Sequence, residues 1–426
     1  MTPERDLQSR AVLQRDLDTP GGSPTPSRAP THTTQANARS PKFVGRLDAG
    51  PMDEVLVGDL WILAGQSNME GYGRFPAEEA PSEWVRVFGS DERWTMAEEP
   101  LHQLDLSPRP VHREIWRAHG ETRPPADQRL QGTGLGLAFG KALAGQLGVP
   151  IGLIPCAQGG TTLEEWDPAG RNDPHASLYG ALLSRVQACG GRVAGLLWYQ
   201  GESEALNGSW STYEQRTEAL FAALRADLQV PELPIVMAQL GRFVADEQAG
   251  LVDDWNSVRD AQRRLAARIP GVRLVAAVDL DLDDPIHIST SGLKRLGVRL
   301  AEAALGQSAP VLEELQWIRG PGAGLADPTG SELRLTFSQV QGSLLAPGRA
   351  LGFTLRDRSG TELHRIYHVT LRGRSVTLHL TADPLPGETT LWYGWGLNPA
   401  CTIVDERDQG LPTFGPVPLP NVQEES

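Results

Sequence analysis

The sequence is poor in cysteine, in positive charge and in long apolar runs. Its three cysteines, Cys156, Cys189 and Cys401, form no CxxC pair and no metal-ligand spacing. So sparse and odd a set excludes a disulfide framework and predicts buried free thiols. No stretch approaches the ~18 apolar residues that span a bilayer. With 39 Lys and Arg against 53 Asp and Glu, the net charge is -14. Such a surface repels phosphate backbones and anionic lipid, so neither nucleic acid nor membrane is an expected partner. Neutral ligands such as esters of sugars remain open. The opening residues, MTPERDLQSRAVLQRDLD, lack a basic start followed by an apolar run. No Sec signal peptide is therefore expected, and the expected location is cytoplasmic, or secreted if the start site is misassigned.

What is present is a chain of 426 residues, more than one hydrophobic core usually supports. Residues 19–41 are rich in Pro, Ser, Thr and Gly and cannot bury enough apolar surface to offset their ordering entropy. Residues 1–40 are expected to be a disordered tail. Residues 41–308 then alternate short apolar runs with amphipathic stretches. The runs are Asp59 to Ala64, Ile151 to Ala157, Val193 to Tyr199, a fourth from Pro234, and Val272 to Val278. Helical spacing separates them, with Gly148 and Pro150 as stop signals after the first long helix. Near-continuous apolar strands alternating with helices predict five parallel strands in a doubly wound αβα sandwich. Residues 309–426 change texture to short alternating runs broken by Gly, Pro, Asp and Ser, which predicts a small C-terminal antiparallel β-sandwich.

Ligands of doubly wound sheets bind beyond the carboxyl ends of the strands. Four such ends carry polar, glycine-rich segments: GQSNMEG from Gly65, QGGTTLEEW from Gln158, QGES from Gln200, and DLDLDDPIHIS from Asp279. Together they supply the parts of an acyl-transfer site. Ser67 follows a buried strand, where backbone N–H groups are free. A hydroxyl needs a base, and of nine histidines only His287 directly follows a core strand. Asp284, three residues earlier, can accept from its Nδ1–H and leave Nε2 to face the serine. The oxyanion needs donors; the N–H of Ser67, that of Gly159 or Gly160, and the side-chain amide of Gln200 are candidates.

These blocks resemble the sialate O-acetylesterase-like branch of the SGNH (GDSL-like) hydrolases, which also includes acetylxylan esterases. The resemblance runs from about Val55 to Leu305 and on towards Pro416. It rests on G-Q-S-N-M at Ser67, on G-G-T with a Trp five residues on at Gly159 to Trp166, on W-Y-Q-G-E at Trp198 to Glu202, and on D-x-x-H at Asp284 and His287. It implies Ser67 as nucleophile, Asp284 and His287 as its partners, and an oxyanion hole of Ser67, Gly160 and Gln200. Departures are the missing signal peptide, the short stub from Pro41 to Val57 where many relatives carry a β-domain, and DPIH in place of DGLH. The implied activity is removal of O-acetyl groups from a carbohydrate, with a small-molecule or oligosaccharide acetyl ester as ligand and no metal or organic cofactor. An acetylxylan or other short-chain acyl esterase is the alternative, and a catalytically decayed carbohydrate-binding protein is an alternative of another class.

Asn68, Glu70, Trp166 and Glu202 are the candidate substrate contacts. Each has a plainer reading: ordering the turn for Asn68 and Glu70, packing for Trp166, holding its loop for Glu202. Residues 100–130 form a long connection of the kind that makes a lid, and Arg113 and Arg117 within it are candidates to pair with a substrate carboxylate.

Overall fold

The computed structural model describes residues 12–15, 56–118, 120, 130–246, 250–319, 331–384 and 387–424. Its central sheet is built from β1 (Val12–Gln14), β2 (Leu56–Gly65), β3 (Val85–Phe88), β4 (Trp94–Met96), β5 (Ile151–Pro155), β6 (Gly195–Tyr199), β7 (Ile235–Ala238) and β8 (Val272–Val275). The order is β8-β7-β6-β2-β5-β3-β4, with β1 pairing to the start of β2. All neighbours are parallel except β3 and β4. The five expected runs are consecutive in it, from the edge strand β8 to β5, and every residue of β5, β6 and β7 is buried. Burial on both faces explains why these strands lack polar alternation.

Three strands lie outside that expectation. β3 and β4 extend one edge, and β1 falls inside the stretch read as a tail. Arg15 secures β1 by donating Nε to Asp59 Oδ1 at 2.6 Å, so an ion pair helps hold a strand of only three residues. The rest of the 1–40 tail and most of the stub at 41–57 lie outside the described residues.

The connecting helices are α1 (Ser67–Glu70), α2 (Pro110–Ala118), α3 (Gly136–Leu147), α4 (Leu178–Ala188), α5 (Glu202–Asn207), α6 (Tyr213–Asp227), α7 (Leu251–Arg268) and α8 (Thr290–Ala304). α3 stops at Gly148, which is left-handed at φ 66°. α4 and α8 start on serine caps, Ser177 and Ser289, whose hydroxyls accept from Gly180 and Gly292. The connection read as an unstructured lid contains α2 and a 3-10 turn at Leu104–Leu106. There Arg113 donates to the carbonyl of Ser107 at 3.0 Å. Residues 119 and 121–129 lie outside the described residues. No described helix is long and apolar enough to cross a membrane.

The C-terminal strands are β9 (Val311–Arg319), β10 (Ser331–Ser338), β11 (Phe353–Asp357), β12 (Glu362–Leu363), β13 (Ile366–Arg372), β14 (Ser375–Leu380), β15 (Thr389–Tyr393), β16 (Phe414–Pro418) and β17 (Val422–Glu424), apart from two two-residue bridges. They form sheets ordered β13-β14-β10-β9-β17 and β12-β11-β15-β16, antiparallel except at β9–β17. Both contribute to one core, with Leu333, Leu335 and Phe337 from one and Leu355, Leu391 and Tyr393 from the other. β10 buries every second residue, as a one-sided strand must.

Polar contacts join this core to the central sheet. Arg259 on α7 is almost wholly buried and donates to five carbonyls: Leu240, Gly241, Gly394, Gly396 and Leu397. Burial lowers its pKa to about 10, because only neutral dipoles surround the charge. Gln239 bonds the backbone of Thr413 in both directions, at 3.0 and 2.7 Å. Cys156, Cys189 and Cys401 are free and buried, as expected.

Candidate active site

β2 ends at Gly65, whose φ is 130°. A Cβ there would lie 2.0 Å from the carbonyl oxygen of Tyr199, so only glycine lets β2 run this close to β6. The chain then turns into α1. At a helix start the first N–H groups have no helical partner, which leaves those of Ser67 and Asn68 available. Gln66 ties the third block to the first: its Oε1 accepts from the N–H of Gly201 at 3.2 Å and of Ser203 at 3.3 Å.

The fourth block forms the turn after β8, closed by a bridge between Leu282 and Ile288. Asp284 Oδ2 lies 2.7 Å from Nδ1 of His287. Its other oxygen accepts from the N–H of Ile286 at 3.0 Å and of His287 at 2.8 Å. Burial pushes the Asp284 carboxyl up, but these N–H groups and the imidazole outweigh it and hold the pKa below its ordinary value. The acid stays ionised and fixes the ring, with Nε2 directed away from it. Pro285 fits this turn, and its carbonyl accepts from Val244 at 2.8 Å.

Serine and histidine are joined through Asn68. Its Nδ2 donates to the carbonyl of Ile286 at 3.2 Å, and its Oδ1 accepts from the N–H of Ile288 at 3.0 Å. The residue after Ser67 therefore grips both neighbours of His287 across 218 and 220 positions of sequence. Tyr72 stacks on the imidazole with ring centroids 4.4 Å apart. The second block closes the other side. A Cβ on Gly159 would lie 3.3 Å from Ser67 Cβ and 2.8 Å from the Tyr72 hydroxyl. Gly159→Ala is thus expected to crowd the serine and lower kcat on 4-nitrophenyl acetate by about 10- to 100-fold. A wild-type rate would show that Gly159 does not border the reacting atoms.

Several expected roles change. Gln200 is fully buried, and its Nε2 donates to the Thr161 carbonyl at 3.2 Å and to the Glu204 carboxylate. Both protons of the amide are occupied, so Gln200 braces the loop rather than offering an oxyanion donor. The N–H of Gly159 is also occupied, by Glu70 Oε2 at 2.6 Å. Gly160 is exposed and at φ 73°, and its N–H donates to no described residue. Asn68, Glu70, Trp166 and Glu202 are all buried and bonded within the fold. Asn68 also donates to Glu202 Oε1 at 2.8 Å, and the Trp166 indole donates to Thr161 Oγ1 at 3.1 Å and packs edge-on to Trp198. Each of the four side chains is engaged within the fold. Short polar side chains beside a nucleophile read as contacts in a sequence; here they are the scaffold of the site.

Tyr72 was not singled out in the sequence, although it lies only five residues after Ser67 and an aromatic at that distance was the available signal. His112, which meets the second block at Gln158, is buried with Nδ1 2.6 Å from Gln158 Oε1. Burial, opposed by Gln158 and aided by nearby arginines, lowers its pKa to about 4. It is a neutral structural histidine.

Glu202 has a titration consequence. Burial pushes its carboxyl up to about 7, although the Asn68 bond pulls it down; Glu204 adds to the rise. A carboxyl raised on folding keeps its proton while the unfolded chain has released it. Stability is then fullest below the ordinary value of 4.5 and declines as pH climbs through about 7. Glu202→Gln keeps an acceptor for Asn68 and cannot ionise. It is expected to flatten the fall in melting temperature between about pH 5 and pH 8. Calorimetry giving parent and variant the same pH profile would refute this.

An ionised acid holding an imidazole, tied through Asn68 to a strand-end serine segment on a parallel α/β sheet, suits hydrolytic chemistry. Comparison with known proteins narrows this. Residues 57–306 match the family described as carbohydrate esterase, sialic acid-specific acetylesterase. The chain belongs to that family and is a carboxylic ester hydrolase. It is 32% identical over 269 residues to a probable carbohydrate esterase of Arabidopsis thaliana, covering 58% of this chain and 90% of that one. It is 25% identical over 282 residues to the sialate O-acetylesterase of Homo sapiens, covering 54% of this chain and only 50% of the relative. The crystal structure of a carbohydrate acetylesterase from Xanthomonas citri superposes with a TM-score of 0.60 at 23% identity, covering 85% of this chain and 81% of the other. At that identity the likeness concerns the fold alone.

Proposed function

We propose that this enzyme removes O-acetyl groups from a carbohydrate through an acyl-enzyme on Ser67. The observation that carries the reading is the Asn68 clamp, which holds the two neighbours of His287 against the segment bearing Ser67. In the proposed sequence His287 Nε2 takes the proton of Ser67 Oγ as the oxygen attacks the acetyl carbonyl. The N–H groups of Ser67 and Gly160 receive the developing oxyanion, each contributing roughly 3 kcal/mol. The acyl–oxygen bond to the sugar breaks, and His287 returns its proton to the departing sugar hydroxyl. Water then attacks the acetyl-serine with His287 again as base, and acetate leaves with Ser67 restored. Asp284 stays ionised throughout and stabilises the imidazolium.

The reading extends to architecture: a catalytic unit of the SGNH type over residues 41–308, doubly wound with helices on both faces, and a C-terminal β-sandwich unit over residues 309–426. The same family gives two substrate readings, a sialate or another acetylated sugar such as xylan. A panel of O-acetylated sialic acid, acetylated xylan and longer-chain 4-nitrophenyl esters, read as acetate or phenol release, tests it. Turnover of an acetylated sugar with rates falling steeply beyond the acetyl chain is expected. Turnover confined to long acyl chains would overturn the proposal.

A further inference from the structure

A second concave surface lies away from the serine. A groove of about 430 Å³ runs between α7, the turn at Trp210–Thr212 and the C-terminal strands. No residue of the Ser67, Gly159 and His287 cluster lines it. On α7 its floor is Asp253, Ser257, Asp260 and Arg264, spaced so that they share one helix face. Its walls are three indoles, Trp210, Trp392 and Trp395.

Each indole is fixed. Trp210 is 38% exposed, and its side chain lies close to the carboxylate of Asp254. Trp392 donates Nε1 to Thr390 Oγ1 at 3.1 Å and meets Trp395 edge-on, with centroids 4.4 Å apart. Arg356 covers one side of Trp395, 4.2 Å from the ring centre. The polar groups divide into two sets. Asp260 is taken by Arg263 and Arg264, and Glu214 by Arg264 and Arg268. Asp253, Ser211 and Ser257 carry no side-chain bond among the described residues and stand at the groove with open acceptors and donors.

Flat, pre-set apolar faces beside open carboxylate and hydroxyl groups suit one chemical class. A sugar ring presents a C–H face to an indole and a rim of hydroxyl donors to a carboxylate. Rigid indoles bind with little loss of side-chain freedom. Asp253, the groove carboxylate with no guanidinium on it among the described residues, disfavours an anionic sugar. We propose that this groove is a binding site for neutral sugar residues of an oligosaccharide, separate from the site of ester cleavage. The chain itself connects the two places. Phe243 donates to the carbonyl of Leu397, next to the Trp395 turn, and Val244 donates to that of Pro285, in the turn holding His287. A glycan held in the groove is thereby kept on the molecule that carries the esterase centre, a consequence that rests on the function proposed above; the binding itself does not.

The test is titration of the full-length Ser67→Ala protein with xylotetraose, cellotetraose and N-acetylneuraminic acid, followed by calorimetry and tryptophan fluorescence. Saturable binding of a neutral tetrasaccharide is expected, weakened at least about tenfold by Trp210→Ala and by Asp253→Ala, with no binding of the acid. Trp210→Phe, which keeps an aromatic face, is expected to restore part of the affinity and keeps the test decisive if Trp210→Ala fails to fold. No saturable binding up to about 20 mM, or binding indifferent to all three substitutions, overturns the proposal. Turnover of 4-nitrophenyl acetate by the unmutated protein is measured in parallel. Its absence would sink the esterase mechanism and leave the groove standing, whereas turnover without sugar binding would sink the groove alone.

Discussion

Replacing Ser67 with Ala is expected to lower turnover of 4-nitrophenyl acetate by about four orders of magnitude or more. The size of the effect follows from covalency. His287 and Asp284 act on the substrate only through the Ser67 oxygen, so without it their arrangement is idle and the three contributions are lost together. What remains is catalysis by oxyanion donors and binding, typically about 10³- to 10⁴-fold over water. Folding should be little affected, because Ser67 lies at the start of a helix where its side chain caps nothing. The measurement is kcat/KM alongside labelling by a fluorophosphonate probe. A variant that keeps its rate, or that still takes up the probe at residue 67's segment, would place the nucleophile elsewhere.

The second large effect is expected at a residue that never touches the reacting atoms. Asn68→Ala removes the bonds to Glu202, Ile286 and Ile288 together. The carbonyl of Ile286 and the buried N–H of Ile288 lose their partner, at about 1–3 kcal/mol each. The histidine turn then keeps Asp284, the Leu282–Ile288 bridge and the Val244 bond but loses its tie to the segment of Ser67. Displacement of a general base by about 1 Å costs on the order of 100-fold in rate. The expected result is a fall in kcat of about that size, with KM for a small ester little changed and a lowered melting temperature. Asn68→Asp separates position from fold: it retains an acceptor for Ile288 but sets a carboxylate against Glu202, so its rate should recover as pH falls and Glu202 takes up its proton. Unaltered kcat in the Ala variant would show that the imidazole keeps its place without the clamp.

Much of the site was legible because its chemistry is local in sequence. Asp284 and His287 sit three apart on one turn, and a strand-end serine is recognisable from the apolar run before it. The middle strands were legible because both their faces are buried. β3 and β4 were not, since EWVRVFGSDERWTM mixes charge into short edge strands that need only one covered face. The engagement of the Gln200 amide within its own loop was hidden for a different reason. Spacing places a side chain near a site but cannot say where its amide points, and Glu204, four residues on, captures Gln200. Asn68 was hidden by distance: its partners lie in the third and fourth blocks, and only the folded chain brings them together.

The buried guanidinium of Arg259 limits how the molecule can move. A swivel of the C-terminal sheets against the central one would take the carbonyls of Gly394, Gly396 and Leu397 away from a buried cation and leave it only those of Leu240 and Gly241. The seam between the two cores is thus a weld and not a hinge. Access to the serine must be regulated by its own rim, while the relative orientation of the indole-lined groove and the catalytic turn stays constant through each turnover.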